Sequence, residues 1–405
     1  MCVCSTKSPN NKTTRRQNDK TTRMNLLLRE IKILFKHPVY WICMIVMPIF
    51  CAVFFTSLMD EGQPMDMPIG VVDLDNTTTS RKLTRMIDGF QSSHVVAHYP
   101  SMDEARHAMQ KNEIYGFLLF PEHMTQDLIS SRQPKMSFYY SSTSITAGAL
   151  IFKEMKTVCT LASAAVGQST LLAKGATTKQ AMAFLQPIAL DTHTVGNPWI
   201  NYNVYLSTML VPACFLLFVF LITAYSLGTE IKFGTYNEWI TLANGNFVRA
   251  MQAKLLPQTI IFLAVYYLLA WYMFGFLHFP HPGGVGRIAL LGLLSVIASQ
   301  GFAVFLFGLI PSLRMSMSIC SLWGVLSFSM VGSAFPVFAM SPILQAVAWL
   351  FPMRHYYLIY QLCVFNEYPL ADAWPHIAAL IIFAALPLLT IHRMAKAFRE
   401  FGYEP

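Results

Sequence analysis

One short motif carries side chains that could perform phosphoryl chemistry. Asp73, Asp75 and Thr77 stand at alternate positions directly after the β-branched pair Val71-Val72. A carboxylate at the end of a strand can attack phosphorus while a bound metal ion neutralises the phosphate oxygens. This motif is therefore the first candidate for catalysis in the chain.

The motif resembles the nucleophile loop of haloacid-dehalogenase-type phosphatases. That chemistry also needs a basic residue and a downstream acidic pair for Mg²⁺. The adjacent acidic pair that follows, Asp103-Glu104, forms part of a predicted helix-capping sequence that begins at Ser101. We therefore interpret the motif as a turn whose side chains bond their own backbone. No catalytic residue, metal ligand or cofactor is predicted.

The sequence contains no Gly-x-x-x-x-Gly-Lys-Ser/Thr phosphate loop, so this chain does not bind ATP by that route. If ATP provides the energy for its function, a separate subunit must supply it. Of the eight cysteines, only Cys159 lies within residues 59–204, so no disulfide framework forms in that region. Cys2 and Cys4 are too few for a structural zinc site and are interpreted as ordinary thiols.

Apolar residues make up 54% of the chain and charged residues 12%, about half the charge of a soluble protein. Apolar runs of about 20 residues match the thickness of a bilayer. Six such runs predict six transmembrane helices, at 38–58, 205–227, 255–279, 288–310, 315–338 and 374–391. A further apolar stretch near 341–366 is interrupted by Pro352, Arg354 and His355, which favours a re-entrant or interfacial hairpin.

Basic residues give the orientation. The leader up to Lys36 holds nine, and more follow in the loop after the second span, in the loop after the fourth and behind the sixth. The positive-inside rule then places both termini in the cytoplasm. Residues 60–204 contain thirteen acidic and eleven basic residues, so this region offers no basic patch for nucleic acid.

The predicted order of domains follows. Residues 1–23 are a disordered basic cytoplasmic leader, and 24–58 are an amphipathic interfacial helix with the first span. Residues 59–204 alternate strand and helix patterns, which predicts a small extracytoplasmic α/β domain. Residues 205–399 are a block of five spans, and 400–405 are a cytoplasmic tail.

The loop after the second span contains the strongest local pattern. Glu230 and Glu238 would share a face of one continuous helix, and Gly234-Thr235 predicts a break between them, with Thr235 capping a second helix. A short amphipathic helix held between two spans can dock a cytosolic partner and transmit motion. An ordinary solvated loop is the alternative.

Together these residues resemble type-2 ABC exporter permeases of the subgroup with a large extracytoplasmic domain after the first span. The resemblance covers residues 24 to about 399. Lys232 stands where the family usually has an acidic residue, and Gln361 where Arg is common. Its coupling helix, at about 230–250, is matched by Glu230, Gly234, Thr235, Glu238, Trp239 and Ile240. Its connector helix and the start of the first span are matched by Glu30 and Pro38. Its outer hairpin is matched by Pro352, His355 and Tyr356. Asn197-Pro198, Pro212 and Lys254-Leu255-Leu256-Pro257 match the approaches to the second and third spans.

The resemblance implies a permease that performs no chemistry and moves a drug, lipid or other amphiphile out across the bacterial inner membrane. Its implied partners are an ATP-binding subunit, a second permease copy or sister permease, a periplasmic adaptor and membrane lipids. Two other classes are considered. A membrane receptor or scaffold would use the outer domain to bind a ligand. A secondary transporter should show inverted repeats, or broken helices with intramembrane charges, and the sequence shows neither.

Overall fold

The computed structural model describes residues 24–130, 132–186, 193, 196–197 and 200–400. Its contacts divide the chain into two compact units. The membrane unit comprises the residues up to Asp60 together with those from Val195 onward, and the outer unit is Glu61–Thr194. The predicted leader 1–23, Pro198 and residues 401–405 of the tail lie outside the described residues.

Helices dominate the membrane unit. Helix α1 covers residues 24–36 and buries Leu26, Glu30 and Leu34, which are spaced by four and therefore share one face. Five further helices are long and apolar enough to cross a bilayer, among the residues the structure describes. They are α2 (Pro38–Leu58), α8 (Tyr202–Lys232), α10 (Phe247–Phe276), α11 (Val285–Leu309) and α15 (Leu370–Glu400).

The fifth of the six predicted spans, at 315–338, is not among these five helices. Helix α12 (Leu313–Met330) has 18 residues and ends eight residues before the predicted boundary at 338. The chain turns after it at Gly332, which has a φ of 95°. Close packing holds α12 against α8, because a Cβ at Gly324 would lie 2.3 Å from Leu217 Cδ1.

Several membrane helices contain irregular turns. The segments Ile42–Val46 and Trp271–Phe276 are π-helical, inside α2 and at the end of α10. Helix α15 is interrupted at Leu386, directly before Pro387, between the segments Trp374–Ala385 and Pro387–Glu400. Proline has no backbone N–H and therefore removes one bond from the helical ladder.

Two short helices occupy the predicted hairpin. They are α13 (Pro342–Ala348) and α14 (Pro352–Ile359), and a π-helical turn, Tyr360–Phe365, continues α14. Proline stands at the first position of each helix, where its fixed φ favours helix entry.

The outer unit is an α/β domain, as the alternating pattern predicted. Its sheet has the order β2-β1-β3-β4, with β1 parallel to β2 and β3, and β4 antiparallel to β3. The strands are β1 (Met67–Asp73), β2 (Ser93–His98), β3 (Gly116–Phe120) and β4 (Ser137–Tyr140). The helices are α3 (Thr78–Asp88), α4 (Met102–Gln110), α5 (Met124–Ile129), α6 (Ile145–Ala173) and α7 (Thr178–Leu185).

Helices cover both faces of this sheet, which explains the continuous apolar runs in β1 and β3. Ile151 and Met155 of α6 pack on the face that carries Val71. Ala105 of α4 packs on the other face with Val72.

Helix α5 starts at Met124, directly after His123, which adopts a left-handed φ of 59°. The helix-capping sequence predicted at Ser101 forms one of its two expected bonds. At the predicted capping box, the Ser101 side chain accepts from the Glu104 N–H, but no reciprocal bond from Glu104 is formed.

Candidate functional site

Four charged side chains meet inside the membrane unit, and we call Arg29, Glu30, Glu230 and Lys254 the ion cluster. Lys254 Nζ lies 2.7 Å from both Glu30 Oε2 and Glu230 Oε1. Arg29 Nη1 lies 2.7 Å from Glu30 Oε1 and 3.1 Å from Glu230 Oε1. Arg29 Nη2 completes a forked pair at 3.2 Å from Glu230 Oε2. Two cations and two carboxylates thus balance in formal charge.

The ion cluster is buried and its hydrogen bonds are satisfied. The side chains of Glu30, Glu230 and Lys254 are 2–3% exposed, and that of Arg29 is 11% exposed. Each carboxylate oxygen accepts from at least one cation. Burying charge is costly unless it is paired in this way, and removing one partner of a buried pair costs about 3–5 kcal/mol.

Three helices supply these side chains from distant parts of the chain. Arg29 and Glu30 lie on α1, Glu230 lies in the last turn of α8, and Lys254 lies two turns into α10. The pairs Arg29–Glu230 and Glu30–Lys254 join residues 201 and 224 positions apart. The cluster therefore fixes α1 against the point where the second span ends and the third begins.

A tight turn follows Glu230, as the Gly234-Thr235 pair predicted. Gly234 has a φ of 65°, a conformation that glycine adopts without strain. Helix α9 (Tyr236–Leu242) begins directly afterwards. Thr235 stands at its N-cap, as predicted, but its side chain makes no capping bond. Its hydroxyl donates instead to Glu230 Oε2 at 2.5 Å, because the buried carboxylate is the stronger acceptor.

Glu238 connects the buried cluster to the surface. Its side chain is 63% exposed, and its Oε1 lies 3.3 Å from Arg29 Nε. The break at Gly234 means that Glu230 and Glu238 do not share a face of one helix, yet both bond the same guanidinium. Arg29 therefore joins the exposed side of α9 to the ion cluster.

Trp239 anchors α9 from below. It is fully buried, with ring centroids 5.8 Å from both Phe247 and Phe398. Lys254 Nζ lies 5.1 Å from the Trp239 ring, close enough for a cation–π contact. The structure thus makes Trp239 an internal support of the predicted coupling helix rather than a surface residue.

The side of α9 opposite Trp239 is exposed. We call residues 233–246 the coupling segment. Among its members, Phe233, Asn237, Glu238, Thr241 and Asn244 are exposed. A turn-and-helix unit with an exposed, mostly polar face and a buried aromatic anchor is suited to contact with another protein.

Arg29 remains charged in this setting. Burial lowers its pKa, but the hydrogen bond to Glu230 and the charges of Glu230, Glu30 and Glu238 outweigh that effect and raise the pKa above its ordinary value. The guanidinium is thus a permanent cation between three carboxylates.

The predicted outer-hairpin residues lie in α14, and no described hydrogen bond or ion pair joins them to the ion cluster. His355 is fully buried, with Nε2 2.9 Å from the Trp349 carbonyl and Nδ1 3.0 Å from His376 Nδ1. Tyr356 OH lies 3.2 Å from Tyr266 OH. Pro352 is the first residue of α14. These contacts stabilise the packing of the hairpin.

The aspartate motif forms the turn that was predicted. Asp73 Oδ1 accepts from the N–H groups of Asp75 and Asn76 at 3.1 and 2.9 Å. Asp75 Oδ2 accepts from the hydroxyls of Thr77 and Thr125, each at 2.6 Å. Burial raises the pKa of Asp75, but these bonds outweigh it and lower the pKa. Both carboxylates are thus engaged in local structure.

The sequence patterns did not show that Arg29 and Lys254 belong to one cluster. Arg29 was one of the basic residues that predict the orientation in the membrane, and Lys254 was part of the match to the entry into the third span. Their positions were the signal that could have identified them. Each cation stands beside an apolar helix face, and an acidic residue stands at a neighbouring membrane boundary.

Five membrane-length helices, an inserted α/β unit and a buried ion cluster at a helix junction define a multi-pass α-helical membrane protein. A family model described as "ABC-2 family transporter protein" matches residues 38–391. The chain therefore belongs to the ABC-2 transporter family, which confirms the resemblance at that level. A search of curated proteins gave no match. Membership supports a permease of an ABC transporter, a component that is not itself catalytic, and it implies an ATP-binding subunit as partner.

Proposed function

We propose that the chain is the permease subunit of an exporter that moves a hydrophobic or amphiphilic substrate outward across the bacterial cytoplasmic membrane. Both termini lie in the cytoplasm in this proposal, as the distribution of basic residues favours. The permease pairs with a second copy or with a sister subunit. A periplasmic adaptor would meet the outer unit.

The observation that carries the proposal is the ion cluster. It connects the interfacial helix α1 to the coupling segment through charged pairs that cannot be separated cheaply. When the ATP-binding subunits close, they would push on the exposed face around Glu238. Arg29 would transmit that displacement to α1, and Lys254 would transmit it to the third span.

Residues in the spans bear on the substrate. The spans are rich in Met and Phe, which form adaptable apolar surfaces suited to bulky apolar molecules. Ionisable residues are scarce deep in the spans, which disfavours a proton or ion relay. Outward direction is supported by the family resemblance.

The alternative is a receptor or scaffold that binds a ligand through its outer unit. One observation favours it: a groove of about 540 Å³ lined by α6, α7 and neighbouring residues, including Leu83, Met124, Leu171 and Phe184. A receptor of this kind would not need an ATP-binding subunit and would not stimulate ATP hydrolysis.

The test compares two charge reversals in the full chain, co-expressed with its ATP-binding subunit. Glu238→Lys changes the first turn of α9, and Glu104→Lys changes the first turn of the similarly short helix α4 in the outer unit. Both glutamates are exposed. We expect Glu238→Lys to reduce co-purification and stimulated ATP hydrolysis at least tenfold, because it places two cations, Arg29 and the new lysine, side by side.

Glu104→Lys should leave both quantities unchanged. Equal behaviour of the two variants would refute a role of the coupling segment in docking. ATP hydrolysis that the permease does not influence, even in the unmodified complex, would favour the receptor.

A further inference from the structure

A groove beside the ion cluster has the shape and charge of a lipid-headgroup site. It encloses about 560 Å³ between α1, the beginning of α2 and the end of α8. This volume lies within the range of small-molecule sites. His37, Tyr40 and Thr229 line it at the boundary where these spans begin or end.

The groove carries cations without acidic partners. Lys32 and Lys36 are four residues apart on α1, so they lie on one face, and both line the groove. Neither forms an ion pair within the part of the chain that the structure describes. The acidic residues of the lining, Glu230 and Glu238, bond Arg29 instead. The lining thus offers two uncommitted ammonium groups to an anion.

Apolar surface continues from the groove. Leu28 lines it and is 54% exposed, and Phe233 is 63% exposed at its other edge. Met24, Ile31 and Phe35 extend the stripe along α1 and are also exposed. A helix with an apolar stripe and adjacent lysines lies in the interface of a membrane and attracts anionic lipids.

We propose that this groove binds the headgroup of an anionic glycerophospholipid of the leaflet that faces α1. Lys32 and Lys36 hold the phosphate, and the Leu28–Phe233 edge contacts the acyl chains. Because Arg29, Glu230, Thr235 and Glu238 line the same groove, the bound phosphate lies against the residues that fix the coupling segment. The lipid would therefore stabilise the position of that segment. The assignment of this leaflet to the cytoplasmic side rests on the proposed function, whereas the binding itself does not.

The experiment titrates the detergent-solubilised full chain with dioleoylphosphatidylglycerol and counts bound lipid by native mass spectrometry. Lys32→Gln/Lys36→Gln removes both charges, and Lys153→Gln/Lys156→Gln removes two exposed lysines from one face of α6 as a matched control. Each membrane-proximal lysine contributes roughly a factor of five to anionic-lipid affinity, so the groove variant should bind about 30-fold more weakly. The control should match the unmodified chain, and Lys32→Arg/Lys36→Arg should retain binding.

Two further probes separate the sources of binding. Dioleoylphosphatidylcholine has the same chains with no net charge, and glycerol 3-phosphate has the anion without the chains. Equal binding of the zwitterionic lipid, or an equal loss in the control variant, would overturn the proposal. Saturation by glycerol 3-phosphate at the same concentration would assign the site to a soluble anion instead. No ATP-binding subunit is present, so a negative result here leaves the Glu238→Lys comparison unaffected.

Discussion

Replacing Lys254 with methionine tests whether the ion cluster holds α1 in place. Methionine is similar in length and apolar, so it fills the same space without the charge. The substitution leaves Glu30 and Glu230 facing one cation, Arg29, with an excess negative charge inside the protein. We expect the local structure to lose about 3–5 kcal/mol of stability, the usual cost of breaking a buried pair.

A second substitution distinguishes charge imbalance from lost packing. Glu30→Gln alone leaves Arg29 and Lys254 facing Glu230, with an excess positive charge. Combined with Lys254→Met, it leaves Arg29 paired with Glu230 and restores neutrality. The double variant should therefore be more stable than the sum of the two single effects predicts, by about 2–3 kcal/mol.

Hydrogen–deuterium exchange of the full chain measures these differences where they occur. A loss of 3 kcal/mol corresponds to a roughly 100-fold increase in the population of the locally open state. The increase should appear in peptides that cover residues 24–36 and 236–242, while peptides from the outer unit stay unchanged. Lys179→Met, at an exposed lysine of α7, is the control. If Lys254→Met does not accelerate exchange in α1, or if the two substitutions are additive, the ion cluster does not act as a unit.

Two further predictions concern single positions. Gly234→Ala should destabilise the turn by about 1 kcal/mol, because a φ of 65° strains an alanine even though no atom lies within 4 Å of an added Cβ. Faster hydrogen exchange of the α9 amides would show this destabilisation. Gly175→Ala, at another glycine with positive φ and open space, is the control for strain elsewhere. The lowered pKa of Asp75 means that its stabilisation is present above its unfolded pKa, near 4, and is lost as pH falls through the folded pKa. The melting temperature of Asp75→Asn should therefore lie below that of the unmodified chain at pH 6 and approach it at pH 3, and a constant difference would contradict the assignment.

Much of the fold followed from local patterns. The alternation of strands and helices between residues 59 and 204 was predicted, because periodicity and capping residues are local properties. The α-helical membrane class followed from the apolar runs. The end of α12 at Met330 was missed, since Gly332 and Pro336 lie within a run that is apolar on average, and hydropathy alone does not detect the turn.

The site was only partly predictable. Glu30, Glu230 and Glu238 were identified by resemblance, but their common partner Arg29 was not. A contact between residues 201 positions apart depends on how three helices pack, and no local pattern reports it. Thr235 illustrates the same limit, because the capping rule considers the helix that follows and not the buried carboxylate five residues earlier.

The missing backbone bond at Pro387 has a mechanical consequence. Beyond this residue, the last helix carries Phe398, which packs against Trp239 and Phe247. A helix interrupted by proline bends more readily at that point than elsewhere. We therefore expect the segment Pro387–Glu400, about four turns long, to tilt together with α9, while the preceding part of the same helix keeps its orientation.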